Sequence, residues 1–235
     1  MAETSSTSER LSRTTRSSVV PEEVAQFASH AGDWWDPDGS ERVCIPNAHD
    51  GGITAIAISP LGPELIASGG RDDVIRLHTT SGDAVGHPFE GHANDVMAID
   101  FHRDGERLAS GGRDGQVRIW NLAGSTLGTY DGHSAEVLAV RFSPDGEHIA
   151  FAGLDGAIHV WTPGGSAEAI VVGHVDGRVW DVAFGDRGHL VAVADAGTVV
   201  VVDRALSEDA RPNVFVGHTG EVRAVRWHPN GRTFL

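Results

Sequence analysis

One short signature returns along this chain at a near-constant interval. A Gly-His pair, Ala-His in its first copy, places His at positions 49, 92, 133, 174 and 218, in steps of 43, 41, 41 and 44 residues. A unit of that length is too small to bury a core alone and must stack on its neighbours. A period of about 40–45 residues fits a four-stranded blade repeated around an axis.

The second unit, GHANDVMAIDFHRDGERLASGGRDGQVRIW, divides into strands. Val96 to Phe101 alternates apolar with small or polar residues, the period of a half-buried strand. Arg103-Asp104-Gly105 makes a turn and Arg107 to Gly111 a second strand. Arg113-Asp114-Gly115 is a tight hairpin turn of the Asp-Gly kind, Gln116 to Trp120 a third strand, and Ser125 to Tyr130 a fourth. The third unit, GHSAEVLAVRFSPDGEHIAFAGLDGAIHVW, repeats the plan closely. The first is a degraded copy. The fourth is more degraded and has one extra residue before its first strand. The fifth ends inside its second strand.

These units resemble WD repeats over about residues 41–235, and the strength of the likeness lies in the five-fold recurrence. The resemblance implies an all-β propeller of four full blades and part of a fifth, each repeat giving three strands of one blade plus the outer strand of the preceding one. It leaves 42–46 as an outer strand awaiting a blade. Such rings resemble one another in having about seven blades, and a ring leaves only short, protected edges. Three accounts of the missing part stay open: a fragment of a longer chain, which is the expectation; a ring completed by oligomerisation; or a small closed ring. Residues 232–235 are expected to be a bare apolar edge that invites self-association.

The resemblance also implies a buried hydrogen-bonded tetrad in each blade. The second unit carries it whole as His92, Ser110, Asp114 and Trp120. Unit one keeps His49, Ser68 and Asp72, with His78 for Trp and Asp73 for the turn Gly. Unit three keeps His133, Asp155 and Trp161, with Phe151 for Ser. Unit four has Ala192, Ala196 and Val202 at the three later positions. Ser, His and Asp together suggest a hydrolase triad. However, the set recurs from unit to unit, and the strand–turn–helix Gly-x-Ser-x-Gly elbow is missing. The set is read as structural, and no catalytic residue is expected.

Composition narrows the partners. The formal charge is −15, and all 18 basic residues are Arg. So acidic a chain suits neither nucleic acid nor an anionic membrane surface. Cys44, the single cysteine, excludes an internal disulfide and a Cys-rich zinc site, and accords with a cytoplasmic location. Five of the thirteen His belong to the repeat signature, and no His-x-x-x-His helix follows, so neither metal nor cofactor is expected.

Before the repeats, 1–18 reads as a disordered tail rich in Ser, Thr and Arg. Residues 19–40 read as a short amphipathic helix and turn. Pro21, Glu22 and Glu23 suit its first turn, with Val24, Phe27, Ala28 and Ala31 on one face. The string VVPEEVAQFASHAGDWWDPDGS is also similar to the leader of ubiquinone-biosynthesis O-methyltransferases. The S-adenosylmethionine-binding core of that family does not follow, so no methyltransferase residue carries over.

The functional expectation is a non-catalytic scaffold for protein or peptide. The alternatives are a regulatory propeller segment of a larger signalling protein, and a fusion or remnant bearing the methyltransferase leader. Residues before each turn Asp (Arg71, Arg113, Leu154) should project on one rim, and those after the first Val or Ile of each inner strand (Thr54, Met97, Leu138, Trp180, Arg223) should sit near the central channel. The expected contact patch is Arg71, Met97, Arg113, Leu138, Trp180 and Arg223. Clustered Arg would favour an acidic or phosphorylated partner.

Overall fold

The computed structural model describes residues 48–61, 65–164, 168–185, 189–195, 197–202, 213–216 and 218–227. The expected N-terminal tail and helix, the outer strand at 42–46, Cys44, Ala196 and the apolar end at 232–235 lie outside the described residues. No helix among the described residues is long and apolar enough to cross a membrane.

Among the described residues, sixteen strands form four antiparallel sheets of four. The first holds β1 Ile53–Ile58, β2 Leu65–Gly70, β3 Ile75–Thr79 and β4 Ala84–Phe89. The second holds β5 Val96–Phe101, β6 Arg107–Gly112, β7 Val117–Asn121 and β8 Thr126–Tyr130. The third holds β9 Val137–Phe142, β10 Ile149–Gly153, β11 Ala157–Trp161 and β12 Ile170–His174. The fourth holds β13 Val179–Phe184, β14 Leu190–Ala194, β15 Thr198–Val202 and β16 Asn213–Val216. Each sheet runs in chain order as a meander. The second blade matches its sequence-based strand limits to within one residue.

The first strands pack side by side, β1 on β5, β5 on β9 and β9 on β13, so they form the inner row of the blades. Each gap between sheets is filled from both sides. Leu65, Ile75 and Phe89 of the first sheet meet Val96, Ile99, Leu108 and Trp120 of the second. Ala98, Val117 and Ile119 meet Val137, Val140, Phe151 and Trp161 of the third. Ala139, Ile158 and Val160 meet Val179, Val182 and Leu190 of the fourth. Val191 and Val193 are covered by Val225 and Trp227. Each of the three aliphatic or aromatic sheet-to-sheet layers therefore depends on two consecutive units, and this makes the repeat a stack.

Close blade packing explains one glycine. A Cβ on Gly111 would lie 2.5 Å from Val137 Cγ1, so only glycine lets β9 approach β6. Another is explained by backbone: Gly115, at φ 78°, turns the β6–β7 hairpin. Asp73 occupies the same turn position in the first blade at φ 64°, the sole positive-φ non-glycine among the described residues.

Each inner strand carries a bulge at one repeated place. Val96 pairs with Gly112 and Ala98 with Gly111, leaving Met97 extra. Thr54, Leu138 and Trp180 are the extra residues of β1, β9 and β13. A bulge re-aims the side chain it inserts. The fifth unit departs from the expected first strand. Residues 221–226 make no ladder among the described residues and Trp227 forms an isolated bridge. The segment is held instead by Val225 N–H donating to Asp181 Oδ2 (3.2 Å) and Trp227 Nε1–H to Ala183 O (3.0 Å).

Candidate functional site

The complete tetrad of the second blade is a closed relay. Trp120 Nε1–H donates to Ser110 Oγ at 2.8 Å. The hydroxyl lies 2.7 Å from His92 Nε2, and His92 Nδ1–H donates to Asp114 Oδ2 at 2.9 Å. Asp114 also accepts from the backbone N–H of Ala93 (2.9 Å) and Gln116 (3.1 Å). One carboxylate thus ties the loop before β5 to the β6–β7 turn. Burial pushes the Asp114 carboxyl up, but the bonds from His92 and Ala93 outweigh it and hold it below its usual value. Ser110 is fully buried. Its oxygen has two protein partners, so it is a strut in this geometry.

The first blade repeats the arrangement, with His49 2.7 Å from Asp72 Oδ1 and 2.8 Å from Ser68 Oγ. Arg76 adds an ion pair to Asp72 at 2.6 Å. There too burial raises the carboxyl, and His49 and Arg76 more than reverse it. His78, standing in for Trp, keeps Nδ1 buried without a partner, and burial lowers its pKa.

The third blade is different. With Phe151 in the serine position, the His133 ring turns. Nδ1 lies 3.0 Å from Ala135 O, and Nε2 faces Asp155 Oδ1 at 3.4 Å. The fourth blade has lost the arrangement. The extra residue in its loop leaves His174 exposed at the end of β12 and puts Val175 in the buried place, four residues before β13. His218 is exposed.

The contact residues expected from the sequence divide into groups. Trp180 and Arg223 come together, the guanidinium lying 4.7 Å from the indole centroid. Arg178 lies 5.3 Å from the same ring. Trp180 Nε1–H donates to Asp195 Oδ1 at 2.5 Å, and Asp195 also pairs with Arg178 at 3.3 Å. Arg113 bridges Asp95 (2.8 Å) and Glu136 (3.2 Å), and Arg223 pairs with Glu221 (2.6 Å). Met97 and Leu138 are half-buried at their bulges. Thr54 is tied down by hydrogen bonds to Gly69 O and Val96 O. No hydrogen bond, ion pair or ring contact links the Arg71 side chain to the others among the described residues. Its backbone N–H donates to Gly52 O.

Sequence reasoning missed Asp195 and Arg178. Asp195 N–H bonds Arg178 O as Arg113 N–H bonds Asp95 O and Leu154 N–H bonds Glu136 O. Asp195 is therefore the fourth blade's counterpart of Arg71, Arg113 and Leu154. The signal was the Gly197 turn two residues on.

A family model described as "WD domain, G-beta repeat" matches residues 40–79, 84–121, 124–162, 165–203 and 211–235. The second of these spans β4 to β7, an outer strand plus the next three, as the strand bookkeeping requires. No curated protein matches the chain.

Proposed function

We propose, from the premise that this chain belongs to the WD-repeat family, that its blades present the Trp180 rim to a protein or peptide partner. Proteins built of such repeats act generally as interaction scaffolds. The observation that carries the reading is the half-buried Trp180 indole, set out of its ladder by a bulge and flanked by Arg178 and Arg223. Trp and Arg supply large contact area and are frequent hot spots. The contact patch we assign is Arg71, Met97, Arg113, Leu138, Trp180 and Arg223, with Arg178 added.

An acidic or phosphorylated ligand would be drawn to these Arg, but Arg113, Arg178 and Arg223 already face carboxylates of their own chain. Arg71 has no such carboxylate among the described residues and is the position from which a ligand anion gains most. The ligand is therefore read as a segment offering an apolar side chain to Trp180 and one acidic or phosphorylated group to Arg71.

The test is a peptide array probed with the full chain and with Trp180→Ala, Arg71→Glu and the distant control Arg103→Glu. Loss of the same peptides with the first two variants, and their retention with the third, supports the reading. Identical binding by all four proteins excludes this rim.

A further inference from the structure

In the third blade two buried imidazoles face one carboxylate, and neither is satisfied there. His133 and His159 are each 7% exposed. Nε2 of His133 and both ring nitrogens of His159 lack any hydrogen-bond partner. A buried polar atom left unmade costs about 1–3 kcal/mol, so three in one place point to a partner of another kind. The neighbouring blades show how the place arises. Counting from the turn residue, His159 stands where Arg76 and Arg118 stand. In the first blade Arg76 reaches its Asp as a cation. In the third blade the position offers a short ring with a lone pair. Phe151, in place of the tetrad serine, stacks on His159 at 5.0 Å and 9° and sets the plane of that ring.

We propose that His133, Asp155 and His159 bind one divalent first-row transition-metal ion of the zinc class, through His133 Nε2, an Asp155 oxygen and a ring nitrogen of His159. The three ligand atoms lie within 4.8 Å of one another. The 3.4 Å from His133 Nε2 to Asp155 Oδ1 is longer than an ordinary N–H···O bond of about 2.7–3.2 Å. It matches the edge of a tetrahedron whose metal–ligand arms are about 2.0–2.2 Å. His133 Nδ1 is 3.0 Å from Ala135 O, closer than the 3.3 Å to Ala135 N. The closer carbonyl contact favours the tautomer with the proton on Nδ1 and the lone pair on Nε2, the second hydrogen bond that metal-bound His usually makes. The carboxylate is held by Ala157 N–H at Oδ1 (2.9 Å) and Ser134 Oγ–H at Oδ2 (3.0 Å). Asp155, whose side chain is 20% exposed, gives the ion a way in and a fourth, solvent-side position. Two imidazoles with one carboxylate suit zinc, copper or nickel. Calcium and magnesium prefer an all-oxygen shell.

The experiment uses the full chain, stripped with chelator and titrated with Co2+, with Zn2+ as competitor. One Co2+ per chain is expected, with the visible absorption of a four-coordinate site, displaced by Zn2+. Zn2+ should also raise the unfolding midpoint by linkage. His159→Val should weaken Co2+ binding by more than the roughly 10–100-fold lost with an outer hydrogen-bond partner of a ligand. Val200 occupies the matching place in β15, so the fold tolerates that residue, and the metal-free variant should be at least as stable as the parent. Asp155→Asn keeps the bond from Ala157 N–H on its Oδ1 and can donate from Nδ2 to Ser134 Oγ, and gives a second, independent loss. His148→Gln, in the exposed Asp145, Glu147, His148 group, should leave binding unchanged. No bound Co2+ at high micromolar concentration overturns the proposal. So does parental affinity in both His159→Val and Asp155→Asn, or a loss confined to His148→Gln.

Discussion

The second and third blades share a sequence plan almost word for word, yet their polar centres are built on different principles. In the second, a small serine lets four side chains form a relay in which each buried donor meets an acceptor. In the third, Phe151 fills the serine's place and more. It packs against Tyr130, His133 and His159 with ring centroids 5.2, 5.7 and 5.0 Å away. The blade has exchanged hydrogen bonds for aromatic packing and left imidazole nitrogens unpaired. A repeat can keep its backbone, turns and inter-blade contacts while its polar centre is rewritten, because the inter-blade layers and the tetrad draw mostly on different residues.

The largest expected effect comes from forcing the two centres to match. Phe151→Ser restores the family pattern on paper but empties a fully buried ring site. A large-to-small core change of this kind costs about 3 kcal/mol or more, and one regained hydrogen bond of about 1 kcal/mol does not offset it. Urea titration should show a loss of about 3 kcal/mol. A stability gain would mean that the relay, not the packing, dominates both blades.

Next is the loss of the turn carboxylate from each centre. Asp114→Ala strands His92 and two backbone N–H groups, and should cost about 2 kcal/mol. Asp155→Ala breaks two bonds and a 3.4 Å contact, and in metal-free protein should cost about 1 kcal/mol. Equal losses would erase the contrast between the blades. The Asp114 contribution also has a pH signature. Its carboxyl lies below the ordinary value, so its stabilisation is present above the unfolded-state value near 4 and is lost as pH falls through the folded one.

The joint between the two blades titrates in the opposite sense. Asp100 on β5 accepts the Phe142 N–H of β9 at 2.8 Å. Burial pushes its carboxyl up to about 6, against the pull of Arg141. The folded chain holds that proton between about pH 4 and 6 where the unfolded chain has released it, so stability from this group falls as pH rises through that window. Comparing parent and Asp100→Asn at pH 4 and pH 7 by urea unfolding should show a parent-only loss of about 1–2 kcal/mol. Parallel behaviour of the two proteins would mean the carboxyl is not withdrawn from water.

These differences bear on what a sequence can disclose. The strands of the second blade were legible to a residue because Gly105 and Gly115 mark turns and apolar alternation marks faces. The tetrad was implied by the resemblance to WD repeats, and recurrence served only to separate it from a triad. The ring turn of His133 and the meeting of His133 with His159 were not. They depend on the volume of Phe151, and no spacing rule records what fills a place when the usual residue leaves it. Counting histidines by the repeat signature hid His159, which sits in a strand as an ordinary alternating residue. His174 misled in the opposite way, because its dipeptide survives while one inserted residue moves it out of the buried place.

The smallest effect tests the turns that the first two blades share. Gly115 takes φ 78° without a Cβ, whereas Asp73 takes φ 64° with one. A left-handed conformation costs an L-residue about 1–2 kcal/mol, less where a short polar side chain bonds locally. Asp73→Gly should therefore stabilise the chain by about 0.5–1 kcal/mol, net of the entropy that glycine adds to the unfolded state. Gly115→Asp should do more harm than the reverse change does good. A Cβ there would lie 3.0 Å from His133 O and 3.2 Å from Ala135 O of the third blade. If urea midpoints show the two substitutions to be equal and opposite, the turn is governed by backbone dihedral alone. The expected asymmetry would place part of its cost in the contact between neighbouring blades.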